Sequence, residues 1–313
     1  MSSWLAGHEI LVQTTVVYAF VALSLQVVLR AGVFSLASIA FFGLAGYGAA
    51  NLTLDGMNAW LSLVVVVLAC ALIAVALSYV VSGLRTVYLA MVTVALTLII
   101  SVVARNGGEV TGGSLGLFGI PGQISTMGMI ALLAATIIVL RRLEVSSIGR
   151  SFEALRQDED LALSVGIDVA RRRRFVFCVS AVLGAVGGVL NVYVFAIISP
   201  ETASFSLTTL GLSMAILGGI ARWPGAVIGA IIVAWMPEIL GGVTEYEPVI
   251  YGVVVVTLVV LAPSGIVGLY DGLLRRMRER RGSRARSDGD GSVEGRPALA
   301  ADVAPTAAEE ELS

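Results

Sequence analysis

Residues 60–81 read Trp60-Leu-Ser-Leu-Val-Val-Val-Val-Leu-Ala-Cys70-Ala-Leu-Ile-Ala-Val-Ala-Leu-Ser-Tyr-Val-Val81. No charge interrupts the stretch, and it is longer than the roughly 20 apolar residues a helix needs to cross a bilayer. Strands of a membrane barrel alternate polar and apolar side chains, which this run does not do. Backbone N–H and C=O groups in lipid must be paired within the segment. The stretch therefore predicts a membrane helix.

The same pattern recurs on both sides. Apolar runs fall at Ile10–Leu29, Val33–Leu52, Thr86–Ala104, Ser125–Leu140, Phe175–Ile198, Ser206–Ile220, Pro224–Leu240 and Pro248–Leu269. With Trp60–Val81 they predict an all-α, polytopic membrane bundle of about nine helices, within a range of about eight to ten, at about 20 residues per crossing. Two runs, Ser125–Leu140 and Ser206–Ile220, span only about 24 Å as helices, so they are expected to be short, tilted or re-entrant. Pro224 after Arg222-Trp223 favours a re-entrant break in Ser206–Leu240. The bulk composition agrees: 57% of the residues are hydrophobic and 13% charged, where a soluble chain carries about a quarter charged. The 35 glycines suit helices that approach closely in lipid.

Every basic side chain is arginine, and they gather at Arg141–Arg174 and Arg275–Arg286. With the N-terminus outside, Arg30, Arg85, the Arg141–Arg174 block, Arg222 and the tail fall on the inner side, and only Arg105 falls outside. That is the positive-inside bias. The expected division is a permease domain, 1–274, and a basic then disordered cytoplasmic tail, 275–313. The basic clusters are topology anchors, with no basis for nucleic-acid binding. No basic residue precedes the long first run, so no secretory signal peptide is expected.

Charge is scarce inside the runs. Glu238 is the one Asp, Glu, Arg or His within their boundaries. Ion-coupled carriers usually hold such groups at membrane depth, so a proton-driven carrier is disfavoured, while a sodium site built from carbonyls would escape the test. No HExxH, GxSxG or paired intramembrane carboxylates occur, and with no lysine there is no Walker phosphate loop. Catalytic, metal and cofactor sites are not expected in this chain. Cys70 and Cys178 read as small core residues, and His8 as a solvated residue beside the first run.

The largest polar interruption is Arg141–Arg174. Its centre predicts one short amphipathic helix with Ser151 as N-cap, apolar positions Phe152, Ala154, Leu155, Leu161, Ala162, Leu163 and Val165, and Gly166 as the residue that ends it. Such a helix either lies on headgroups or docks a cytoplasmic partner. At the other side, Thr111-Gly112-Gly113-Ser114-Leu115-Gly116 reads as a tight loop needing positive φ, or as a nest of N–H groups for a carboxylate. Glycines 184, 187, 188, 218 and 219 read as close-packing positions, with a gating bend as the alternative. Ser199-Pro200-Glu201 marks an outer helix boundary.

The ordered set of motifs resembles the permease subunits of branched-chain amino acid ABC importers, of the LivM type. The match runs through Phe34-Ser35-Leu36, Phe41-Phe42-Gly43 and Tyr47, Tyr88–Thr93, Thr111–Leu117, Gly149–Ile167, Phe175–Ala181, Gly184–Gly188, Ser199-Pro200-Glu201, Leu217–Ile220 and Ala262–Leu269. Leu115 stands where the family often has Asn. The resemblance implies a bacterial inner-membrane permease that is not itself an enzyme. Its implied partners are two cytoplasmic ABC ATPase subunits, a second related permease chain and an extracytoplasmic solute-binding protein. It places the ATPase-coupling segment at Glu153, Ala154, Arg156, Asp158, Leu161 and Gly166. Thr111, Gly112, Gly113, Ser114 and Gly116 are the candidate translocation or outer-loop residues. Urea and short-amide importers use similar permeases, and a stand-alone secondary carrier for a small polar solute remains the rival reading.

Overall fold

The structure is a computed structural model. It describes residues 8–84, 86–121 and 124–239, together with the isolated glycines 252, 265 and 268. The ninth apolar run, glycines 252, 265 and 268 apart, and the tail from Arg275 lie outside the described residues.

Among the described residues the helices are α1 Glu9–Arg30, α2 Ala37–Leu54, α3 Ala59–Val81, α4 Thr86–Asn106, α5 Thr126–Val145, α6 Ser147–Gln157, α7 Glu159–Ser164, α8 Val169–Phe195, α9 Phe205–Gly218 and α10 Trp223–Ile239. Two short strands, β1 Leu117–Phe118 and β2 Ile197–Ile198, pair antiparallel, with Leu117 opposite Ile198. The chain is a multi-pass helical membrane protein: among the described residues six helices are long and apolar enough to cross a bilayer, namely α1–α5 and α8.

Two of the expected runs differ among the described residues. α5 is not short: it runs 20 residues, Thr126–Val145. The helix continues through Arg141 and Arg142 because long arginine stems lie along apolar surface while their heads reach water. The runs at 206–220 and 224–240 are instead α9 and α10, bent by 119° at the break and long enough to span only as a pair. At 14 and 17 residues they reach about 21 and 26 Å, short of a hydrocarbon core of about 30 Å. Pro224 sits in the first turn of α10, where its missing N–H costs nothing. Gly219 (φ 109°) makes the bend.

α8 is the centre of the bundle. Inside its most apolar window 78% of the residues are buried, against 11% for α5, so α8 meets protein along most of its length and α5 meets lipid or another chain. It packs on α1, α2 and α3, and its sequence explains how. A Cβ on Gly184 would strike the backbone of Ser38, and one on Gly188 the backbone of Phe42. Two glycines four apart therefore meet two α2 residues four apart, and the backbones touch, the small-residue packing of membrane helices. Hydrogen bonds add to the packing: the Tyr193 and Thr53 hydroxyls lie 2.8 Å apart between α8 and α2, and Ser180 Oγ of α8 donates to Ser24 O of α1 at 2.8 Å. α3 and α4 each pack on α2 but diverge from one another, leaving a groove of about 520 Å³ floored by Leu44, Tyr47 and Gly48. Cys70 is buried and Cys178 half-buried, both as free thiols.

Candidate functional site

The two candidate regions sit at opposite ends of α8, whose 27 residues separate them by about 40 Å.

At the arginine-rich end, the segment between α5 and α8 forms two helices where one was expected. Ser146, not Ser151, caps α6: its side chain accepts from Ile148 N and its hydroxyl donates to Leu143 O at 2.7 Å. Ser151 lies one turn inside, its hydroxyl bonded to Ile148 O. The earlier start follows from Gly149, whose α-carbon sits so close to the backbone of Leu143 and Glu144 that a side chain has no room. α5 thereby turns into α6 almost without a loop. Asp158, in extended conformation (φ −157°, ψ 122°), ends α6, and its carboxylate accepts from Leu161 N at 3.2 Å. That side-chain cap competes with continued helix, which is why the segment breaks there. Gly166, at φ 80°, closes α7: its N–H donates to Leu163 O and Ile167 N donates to Ala162 O. This is the glycine C-terminal motif expected at that position.

α6 is amphipathic. Gly149, Ser151, Phe152 and Leu155 are buried, while Glu153, Arg156, Gln157 and Asp158 are exposed and Ala154 is half-buried. Phe152 meets Phe175 at the start of α8 with ring centroids 6.4 Å apart, and Arg156 backs onto Gly32 (φ 72°) in the turn after α1. Leu161, Leu163 and Val165 around α7 are 60%, 54% and 67% exposed. So the buried face fixes the pair to the bundle, and the outer face combines charge with unpartnered apolar side chains.

Sequence reasoning missed a polar node beside this elbow. Glu144, at the end of α5, pairs with Arg30 at the end of α1, and the same carboxylate oxygen accepts from Trp223 N, the first N–H of α10, at 3.0 Å. Gln26, one turn before Arg30, donates to Ile220 O in the α9–α10 break at 2.9 Å. The signal was hidden because Glu144 and Arg30 lie just beyond the ends of the apolar runs.

At the other end, Thr111 is buried and its hydroxyl accepts from Gly113 N at 3.4 Å; Gly116 N donates to Gly113 O at 3.3 Å. Gly112, Gly113 and Gly116 all take positive φ, at 68°, 62° and 83°. Two of the loop's N–H groups are thus engaged within it, which favours the tight-turn reading over an anion nest. Gly116 abuts the backbone of Ile198 and Ser199, so β1 can pair with β2. Asn51 ties the loop to α2 through Val110 O at 2.9 Å. Ser114 and Leu115 are exposed at the tip.

Also at the end away from α6, a polar chamber of about 890 Å³ is lined by Glu9, Gln13, Ser125, Tyr193 and Glu238. Gln13 Nε2 donates to Thr126 Oγ1 at 2.8 Å, and Thr126 Oγ1 donates to Glu9 Oε1 at 2.6 Å. Glu238 is exposed there rather than buried at membrane depth. His8 is not simply solvated: its ring stacks on Trp235, with centroids 6.1 Å apart.

The family model described as "Branched-chain amino acid transport system / permease component" matches residues 8–263, most of the chain. The chain belongs to this family. The permease protein LivM of the high-affinity branched-chain amino acid transport system of Escherichia coli K12 is 26% identical over 289 residues, covering 81% of this chain and 68% of the relative. LivH of the same organism is 32% identical over 142 residues, 44% of each chain. BraD of Pseudomonas aeruginosa is 27% identical over 127 residues, 39% of this chain and 40% of the relative. No solved structure matches the chain. By that description the family consists of permease components of a transport system.

Proposed function

We propose that this chain is the membrane-spanning subunit of an ATP-driven importer that passes branched-chain amino acids, or a closely related small amino acid or amide, from the outer to the inner side. The observation that carries the reading is the α6–α7 pair. It hangs between two full-length membrane helices, is anchored by Phe152 and Leu155, and turns outward a face of Glu153, Arg156, Asp158 and Leu161. A rigid docked element of this kind converts a partner's movement into a rigid-body shift of the helices beside it.

In this reading two cytoplasmic ATPase subunits close against α6–α7 and the corresponding segment of a second, related permease chain. A solute-binding protein delivers its cargo to the opposite end, where the 108–120 loop, the Ser199-Pro200-Glu201 turn and the polar chamber lie. The arginine distribution supports an orientation with the N-terminus outside and the C-terminus in the cytoplasm. The names of the LivM and LivH relatives support the substrate class, and the family match supports the assembly.

The test is reconstitution. The chain, its second permease and its ATPases are placed in liposomes with the binding protein, and uptake of radiolabelled leucine, isoleucine, valine, urea and acetamide is followed with and without ATP. ATP-dependent leucine, isoleucine or valine uptake that a scramble of residues 153–164 abolishes is expected. Uptake that proceeds without ATP, or that survives the scramble, would falsify the reading.

A further inference from the structure

Three separate pieces of the fold converge at the arginine-rich end. α1 contributes Gln26 and Arg30, α5 contributes Glu144, and the α9–α10 break contributes Ile220 O and Trp223 N. The contacts have a common logic. The first N–H groups of a helix have no partner inside it, and the helix dipole makes that end attract an anion. Glu144 supplies the anion to α10, while Arg30 balances its charge. Arg30 and Glu144 are only 16% and 17% exposed, so neither is comfortably solvated if the other is lost.

The position of Glu144 in the chain matters as much as its partners. It is two residues before Ser146, the N-cap of α6, and Gly149 packs α6 against the Glu144 backbone itself. A tilt of α6 about that elbow moves the Glu144 carboxylate directly. On the far side, α10 is joined to α9 through the left-handed Gly219 turn, and the two helices, apolar enough to span only as a pair, are bent by 119° there. A bent pair with a hinge can change its angle; a straight spanning helix cannot. A cavity of about 30 Å³ lies between Gln26, Arg30, Glu144, Gly149 and Phe152. The elbow is therefore not packed solid against α1.

We infer that Glu144 is the positioning residue through which movement of the α6–α7 segment reaches the α9–α10 hinge, with Arg30 and Gln26 holding α1 to the same node. The inference rests on the coupling reading given above for α6–α7. It assigns to one carboxylate the transmission of that movement to the re-entrant pair.

The experiment uses the complete importer in liposomes and measures ATP hydrolysed per substrate taken up, which loss of folding alone does not change. Glu144→Gln keeps the shape but removes the charge. It is expected to raise the ATP-to-substrate ratio about tenfold, the factor that one lost charge-assisted hydrogen bond produces in an equilibrium. Glu144→Asp keeps the charge and is expected to restore at least half of the coupling. Gln26→Leu cuts the uncharged tie to the hinge and is expected to raise the ratio too, by a smaller factor. An unchanged ratio in both Glu144→Gln and Gln26→Leu overturns the inference. So does a fall in uptake and hydrolysis in parallel, the mark of a merely structural role. The scramble of residues 153–164, run beside these, separates the two levels. If the scramble uncouples and Glu144→Gln does not, Glu144 is not the link. If Glu144→Gln uncouples and the scramble does not, the coupling reading of α6–α7 fails and the hinge is driven through Glu144 from elsewhere.

Discussion

A methyl group added at Gly188 tests the contact on which the bundle is centred. In an isolated helix, Gly→Ala is worth about 1 kcal/mol in favour of the variant. Here the new Cβ would lie 2.7 Å from Phe42 C and 2.9 Å from Phe42 Cα, with Phe42 O nearer still. Ordinary contact begins at about 3.5 Å between carbons, so α2 must retreat from α8 by close to 1 Å. Overpacking of a fitted core costs about 1–3 kcal/mol. Separation of the two backbones also forfeits part of the dispersion along the whole α2–α8 line. The cost therefore exceeds the propensity gain, and Gly188→Ala is expected to destabilise by about 1–2 kcal/mol. For a chain of this size that is a fall in melting temperature of roughly 2–8 °C, read by thermal unfolding of the detergent-purified protein. Gly184→Ala, against Ser38, should behave alike. The double variant should cost less than the sum, because the helices part only once. Gly187→Ala faces Phe20 Cβ at 3.2 Å and a Phe42 ring carbon at 3.4 Å, where small shifts suffice, and should be near neutral. Gly83→Ala, with nothing within 4 Å, is the control. A Gly188→Ala protein as stable as the wild type would refute the close α2–α8 approach.

Other expectations are as specific. Gly116→Ala forces a left-handed residue (φ 83°) and presses on Ile198, so it should open the β1–β2 pairing and speed proteolysis at the 108–120 loop at least severalfold; unchanged cleavage rates would count against that pairing. Tyr193→Phe strips one donor from Thr53 Oγ1, which itself donates to Ala49 O at 2.7 Å; the loss should be about 1 kcal/mol, seen as a modest drop in melting temperature, and an unchanged melting temperature would count against that bond. Gly166→Pro cannot adopt φ 80° or donate to Leu163 O, and is expected to abolish uptake while the protein stays in the membrane; normal transport would break the coupling assignment. A reporter fused after Leu274 should read cytoplasmic and one placed within 112–119 external, and the reverse at either point would overturn the orientation.

Hydropathy made the long helices legible because burial in lipid is decided residue by residue along one segment. It failed at their ends, where a helix outlasts its apolar run: α5 runs on to Val145 on the strength of arginine stems, and α1 takes in Glu9 and Arg30. It also misread the polar segment. Ser151 has the right chemistry for a cap, but the close approach of Gly149 to Leu143 and Glu144 moves the start to Ser146, a tertiary fact that no local pattern carries. Likewise no local pattern marks Asp158 as a break, yet its extended backbone and the bond it accepts from Leu161 N split the segment in two. The positive φ of the Thr111–Gly116 glycines and of Gly166 was foreseeable, since few other residues tolerate it. The Arg30–Glu144–Trp223 node was not: its members are 114 and 79 residues apart from Glu144 in sequence, and each alone reads as an ordinary flank of an apolar run.

The central place of α8 also bears on how the protein is made. α1 and α2 touch each other only slightly and are held together chiefly by their packing on α8, which the ribosome delivers after α5, α6 and α7. Until then the backbone of α2 at Ser38 and Phe42 has no glycine face to rest on, and Ser24 O in α1 lacks its Ser180 donor. Chains halted before Val169 should leave α1 and α2 as loosely associated lodgers in the bilayer. Assembly is completed by a late arrival that gathers the early helices around itself.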